Sequence, residues 1–202
     1  LFGQTERRVL ELEALTRIAA SLTVVQPIDT TLGTLAEAVV ESTGAIACSG
    51  ILMDPEAEEL RFAAQRGLSE GFVQAMARSW GASVTHPGGD TTVAADTILA
   101  FRPGEPRTIR NAKRRLLRTP GYAAVRPYIE SVEWDSIGVI PIAYQGEPVG
   151  ALACYFRPED GPEARDIHFL QGIADQAAAA VQNARLFSAA EERAQQLNGL
   201  YQ

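Results

Sequence analysis

Long apolar runs are missing from this chain: none approaches the roughly 20 residues that a membrane-crossing helix needs, and no signal peptide is visible. No insertion into a membrane is expected of these residues. Cysteine is scarce as well, with two residues. Cys48 and Cys154 each sit inside an apolar run, too few for a disulfide framework, so a reducing, cytoplasmic setting is the expectation. Histidine is equally rare, and His86 and His168 stand apart without an acid cluster, so no metal site is readable. Positive charge is in deficit: 18 Lys and Arg face 25 Asp and Glu, for a net charge of −7. A nucleic-acid or anionic-membrane partner needs a basic face, so both are disfavoured. No serine, histidine and acid arrangement points to nucleophilic catalysis.

What is present is enough for one well-formed core. Over 202 residues, 46% are hydrophobic, which closes a single domain and leaves long helical extensions, but hardly two independent cores. The two ends share wording. Leu1-Phe2, followed by Glu6 and Arg8, recurs as Leu186-Phe187, followed by Glu191 and Arg193; Leu12 and Leu15 then fall on Leu197 and Leu200. Such recurrence is expected where a helix leaving one domain enters the next, in one unit of a serial array. The resulting division is an N-terminal signalling helix over residues 1–22, a domain over 23–187 and a C-terminal linker helix over 188–202.

Within the first segment, residues 4–22 place Leu12, Leu15, Ala19 and Leu22 at alternating three and four spacing, a helix pattern interrupted at Pro27 and Asp29. Ile28, Leu32, Leu35, Val39 and Val40 outline a second helix, with Thr43-Gly44 as its stop. Residues 45–53 and 59–65 read as a hairpin turned at Asp54-Pro55-Glu56. Ser69 begins a helix carrying Phe72, Val73 and Met76, and Asp90 or Thr91 caps another through Leu99. Arg107 to Arg110 reads as a short strand, with Asn111 capping a basic helix to Arg118 that Thr119-Pro120-Gly121 ends. Residues 136–142 and 149–156 pair around Tyr144-Gln145-Gly146-Glu147, where the glycine supplies the reversal. The last helix starts near Pro162. Its seam of Leu170, Ile173, Ala177, Ala180, Ala184 and Phe187 is Ala-rich enough for another helix to approach closely. This order gives an α+β fold with helices on both faces of a mostly antiparallel sheet.

These pieces, in this order, resemble the GAF domains of signalling proteins. The resemblance rests on Thr43-Gly44-Ala45, Asp54, Gly67-Leu68-Ser69, Gly104-Glu105-Pro106, Pro141-Ile142, Gly146 with Val149-Gly150, and Ala174-Asp175-Gln176 followed by Asn183-Ala184-Arg185-Leu186-Phe187. It covers roughly residues 15–187. It implies a GAF-like central antiparallel sheet with a terminal-helix bundle on one face, often a homodimer, and pocket helices and loops on the other. It also implies a regulatory module of a larger protein, such as a sensor histidine kinase.

Departures from the family pattern direct attention to residues 107–134, longer and more basic than the crossing a typical member has there. Arg110, Arg114 and Arg118 would share one face if all three stood on a helix. A guanidinium turned inward offers a planar fork for a carboxylate or phosphate, and flanking aromatics supply apolar walls with polar tips. The candidate pocket residues are therefore Trp80, His86, Arg110, Tyr122, Arg126, Tyr128, Trp134 and Asp135, and the candidate ligand a small organic anion or a polar aromatic. The bland alternatives are a solvated basic face and core packing for Trp134 and Tyr128.

No cofactor is expected. Haem-binding members use a histidine shortly before the fourth strand, and residues 128–134 hold none. Cyclic-nucleotide binders carry an Asn-Lys, Phe and Asp-Glu set, of which only Asn111 and Lys113 are present, wrongly separated. Bilin binders need a pocket cysteine, often beside His, and neither cysteine has one. Three functions remain: a ligand-sensing regulatory domain, a ligandless dimerisation and transmission scaffold, and a thiol redox enzyme or sensor. A homodimer through Leu12, Leu15 and the Leu170 to Phe187 seam is expected. In the sheet order that the resemblance implies, the first and fifth strands are neighbours, so Cys48 and Cys154 are expected to approach each other, both reduced, because adjacent strands seldom meet disulfide geometry without strain.

Overall fold

The computed structural model describes residues 27–53, 60–83 and 105–200. The helix expected over residues 4–22, the turn at 54–56, the helix expected to start at Asp90 or Thr91, and His86 lie outside the described residues.

The first described helix, α1 (Ile28–Ser42), buries Leu32, Leu35, Ala36 and Val39, the three-four stripe of the sequence. Its stop is Thr43 rather than a left-handed glycine. The Thr43 backbone N–H and hydroxyl both donate to the Val39 carbonyl, at 3.0 and 2.8 Å, so the last turn closes on that carbonyl without a left-handed residue. Strands β1 (Ala47–Met53) and β2 (Leu60–Arg66) pair antiparallel, as the hairpin pattern requires. Ser69 then caps α2 (Glu70–Ser83), its Oγ accepting the Phe72 N–H at 3.3 Å.

Strand β3 (Arg107–Arg110) leads into α3 (Ala112–Arg118), a 3₁₀ turn (Pro120–Val125) and the single-turn α4 (Arg126–Ile129). Strands β4 (Ser136–Tyr144) and β5 (Glu147–Phe156) form the second hairpin. Its turn places both Gln145 (φ 51°) and Gly146 (φ 84°) in the left-handed region. Two left-handed residues match the twist of the flanking strands, so the reversal belongs to both and not to the glycine alone. The last helix, α5 (Ala164–Leu200), begins two residues after Pro162, with the Asp166 carboxylate accepting the Glu163 N–H at 3.1 Å at its start.

All strand pairs in the five-stranded sheet are antiparallel, and the order is β2-β1-β5-β4-β3. Two hydrophobic clusters cover it. Behind lie α1 and α5, packed on Cys48, Leu52, Ile140, Leu152, Cys154 and Phe156. In front lie α2, α3, the 3₁₀ turn and α4, packed on Ala47, Ile51, Val139, Ala151, Ala153 and Tyr155. Strand alternation divides the residues: neighbours along β1 and β5 go to opposite clusters.

Candidate functional site

The front cluster is built from rings. Trp80 stacks on Phe62 with centroids 4.5 Å apart and planes 18° from parallel. Trp134 meets Phe72 edge-on at 5.6 Å and Tyr155 at 5.1 Å, and Tyr155 meets Phe72 at 6.3 Å. These are the offset and edge contacts that aromatic quadrupoles favour. Trp80 and Trp134 are only 3% and 2% exposed, so both are part of the core on this face. On the sheet beneath them, Ala47, Ala151 and Ala153 contribute only methyl groups, beside the larger Ile51 and Val139.

Polar atoms are enclosed among the rings. Ser49 follows the alternation of Ala47 and Ile51 and so faces the front; it is fully buried, and its Oγ has no well-formed hydrogen bond. Trp80 Nε1 is likewise buried without a partner. Burial pushes the Tyr155 phenol above its ordinary range; the nearby Ser49 hydroxyl pulls the other way, and the neighbouring phenol of Tyr122 adds to the rise. The Ser49 hydroxyl and the Tyr155 phenol are thus close together. Sequence reasoning missed Ser49 and Tyr155. The available signal was a polar residue inside an otherwise apolar strand run.

The basic segment is arranged differently from the sequence expectation. Arg110 ends β3 rather than joining Arg114 and Arg118 on a helix. It pairs in register with Ser136. Because its neighbour Ile109 faces the front cluster, alternation sends Arg110 to the back, where it is exposed. A Cβ built on Gly161, just before α5, would lie 3.5 Å from Ser136 Oγ and 3.9 Å from Arg110 Nη1. Arg126 is exposed, and its Nη2 donates to the Leu117 carbonyl at 3.2 Å.

Asp135 is a cap. Its Oδ1 accepts the Lys113 N–H and its carbonyl the Ala112 N–H, both at 2.9 Å, while Lys113 Nζ donates to the Val132 carbonyl. Asn111, expected to cap α3, stands at φ 54° and makes no side-chain cap bond. A carboxylate at a helix N-terminus answers both its orphan donors and its dipole, which explains why Asp135 takes the role. Tyr128 is half-buried against α2 at Gly71, where a Cβ would sit 2.3 Å from its ring. Of the eight candidates, then, Trp80, Tyr122 and Trp134 meet in the front cluster and Tyr128 latches its rim. Arg110, Arg126 and Asp135 are engaged elsewhere, and His86 lies outside the described residues.

On the back face, Cys48 and Cys154 are directly opposite in register, with Sγ atoms 3.8 Å apart and both thiols free and buried. The hydrogen bond with Cys48, then burial, raises the Cys154 thiol well above its ordinary range. The expected dimer seam is largely engaged within the chain: Leu170, Ile173, Ala177 and Ala180 are buried, the first three in the back cluster. Ala184 is half-buried, while Leu186 and Phe187 are 58% and 48% exposed. Leu12 and Leu15 lie outside the described residues.

The GAF domain family model matches residues 25–182. The chain belongs to the GAF domain family. It is similar to the GAF domain of a phosphoenolpyruvate-protein phosphotransferase from Coxiella burnetii, at 21% identity and a TM-score of 0.65, covering 90% of this chain and 98% of that one. A domain described as part of a two-component sensor histidine kinase from Sinorhizobium meliloti is 21% identical with a TM-score of 0.56, covering 82% and 98% of the two chains. A type II free methionine-R-sulfoxide reductase from Thermoplasma acidophilum is 18% identical with a TM-score of 0.53, covering 77% and 93%. Among curated proteins, none matches the chain. At these identities the likeness speaks to the fold, and GAF membership makes this a domain of the regulatory and sensory type. Among the described residues no helix is long and apolar enough to cross a membrane, and no acid, histidine and cysteine group could hold a metal ion.

Proposed function

We propose that this GAF domain senses a small molecule on its aromatic face and relays occupancy through the sheet to α5, and from there to an output domain such as a histidine kinase in a cytoplasmic signalling protein. The observation that carries this is the position of β5. Its Ala151, Ala153 and Tyr155 lie in the front cluster, and its Leu152, Cys154 and Phe156 in the back one. A single strand therefore separates the rings from α1 and α5, and close-packed interiors transmit small displacements instead of absorbing them. The relay also requires the molecule to bind one arrangement of α5 better than another.

Further along α5, the Arg185 guanidinium donates to the Met53 carbonyl at the end of β1, and the exposed Leu186 and Phe187 follow at once. Exposed apolar side chains on a projecting helix favour a homodimer through the terminal helices, with Leu12 and Leu15 on the companion segment. Native mass spectrometry of the purified domain is the test of sensing. A co-purifying small molecule lost on substitution of Ser49 or Trp80 is the expected result. Protein mass alone, with no small molecule retained, would favour a ligandless scaffold, which draws support from the packing of Trp80 and Trp134 within the core. A thiol redox role has less support, since both cysteines are enclosed under α1 and α5.

A further inference from the structure

On the front face Trp80 Nε1 is left without a partner, and Ser49 Oγ makes no well-formed hydrogen bond although the Tyr155 phenol lies near it. Trp80 Nε1 belongs to a residue 3% exposed, and Ser49 Oγ to one fully buried. Trp80 stacks on Phe62 of β2, which pairs with Ile51, two residues along β1 from Ser49 and on the same face. A buried donor without an acceptor is destabilising, and native proteins keep few of them. The indole N–H only donates, whereas a serine hydroxyl donates or accepts. Together they ask for an acceptor.

Charge is absent from the same place. Among the described residues, Asp166 is the one buried ionisable carboxylate or cation, and it is occupied at the start of α5 on the back of the sheet. The groups that could have supplied a counter-charge are engaged elsewhere: Asp135 caps α3, Lys113 holds the Val132 carbonyl, Arg126 the Leu117 carbonyl, and Arg110 faces the back. Among the described residues, none of these groups would replace the hydration that an ion brought among the rings must lose. The side chains around these atoms are largely flat rings and methyl groups, a lining suited to a planar molecule.

From these observations we infer that the front face takes an uncharged planar aromatic molecule bearing a hydrogen-bond acceptor of the amide-carbonyl type, held by Trp80 Nε1 and Ser49 Oγ. The inference rests on the ligand-sensing reading above and narrows its chemistry, choosing the polar aromatic over the organic anion. No bond is made or broken.

The test uses matched pairs that differ in charge but hardly in shape: benzamide and benzoate, nicotinamide and nicotinate, and indole-3-carboxamide and indole-3-carboxylate, each at millimolar concentration against the 15N-labelled chain. The Trp80 indole N–H signal is identified by its loss in Trp80→Phe. At least one amide is expected to shift that signal saturably, with its carboxylate partner at least tenfold weaker. Ser49→Ala, followed on the Trp80 signal, and Trp80→Phe, followed on the backbone amide signals that the same amide shifts in the unchanged chain, should each weaken the amide fivefold or more with unchanged circular dichroism. A carboxylate binding as tightly as its amide would overturn the inferred charge state and leave sensing standing. Binding unaffected by Ser49→Ala, whose small change tests the contact even if Trp80→Phe unfolds the chain, would overturn the assigned contacts. If no probe moves the Trp80 signal while native mass spectrometry finds a retained molecule, the chemistry is wrong but the sensor remains. If no probe moves it and nothing is retained, both fall.

Discussion

Behind the sheet, where α1 and α5 lie, the buried side chains are mostly aliphatic, Leu32, Leu35, Ile140, Ile142, Leu152 and Ile173 among them, and they interlock around two thiols. In front, beneath α2 to α4, the rings of Phe72, Trp80, Tyr122, Trp134 and Tyr155 join aliphatic side chains such as Ile51, Leu116 and Ile129, and three of the sheet positions below them are alanines. The same strands serve both faces, so the contrast comes from side-chain choice at alternate positions and not from backbone. Aliphatic interdigitation maximises close contact and fixes one arrangement. Rings with polar tips satisfy their contacts less completely, and Trp80 Nε1 and Ser49 Oγ are the residue of that mismatch. Both faces bury a core, and the front carries the polar atoms on which the sensing proposal rests.

The contrast is sharpest for truncations. Leu152→Ala removes a fully buried side chain from the back cluster and is expected to lower unfolding free energy by about 2–5 kcal/mol, measured in urea. Trp80→Phe on the front keeps the stack on Phe62 and removes an unpartnered donor, so a loss as large as that of Leu152→Ala would break the comparison.

Next in size is the latch at the front rim. Gly71→Ala places a methyl 2.3 Å from the Tyr128 ring. Overpacking of this kind costs about 1–3 kcal/mol, offset in part by the gain of roughly 1 kcal/mol in helix propensity. A net loss is expected, and the cost of Gly71→Ala should disappear in a Tyr128→Ala background. Asp135→Ala should then cost about 1 kcal/mol through the lost cap of α3, with no effect on amide binding. A large binding defect would return Asp135 to the pocket.

The smallest effect is an alkaline drift. Cys154 and Tyr155 both have raised affinities for their protons in the folded chain, so above the ordinary thiol and phenol ranges the unfolded chain releases protons that the folded one retains. Stability is therefore intact below those ranges and falls as pH rises through and beyond them. Cys154→Ala should flatten the first part of the decline, read as the urea midpoint against pH.

Much of this was legible in the sequence because it is periodic. Apolar runs located β1, β4 and β5, and the three-four stripe located α1 and α5. The approach of Cys48 and Cys154 followed from the strand order that the family resemblance implies. What stayed hidden depends on contacts distant in sequence or on the side to which a chain alternates. Asp135 reaches back 22 residues to cap α3, which no local capping pattern signals. Arg110 looked like the first member of an arginine stripe, yet it is the last residue of a strand, and a strand's period of two sends it to the other face. The Ala-rich seam of α5 was expected to meet a second helix in a homodimer, but periodicity says nothing of which helix or sheet a seam packs on; Leu170, Ile173 and Ala177 lie in the cluster that covers their own sheet.

Coupling between the faces is the central claim, and hydrogen exchange tests it most directly. Backbone exchange across the chain would be measured with and without whichever amide moves the Trp80 signal. The expected result is changed protection in α2 and β5 in front and, with them, in α5 behind, extending toward Leu186 and Phe187. Protection confined to α2 and the front of the sheet, with α5 unchanged at saturating amide, would contradict the relay.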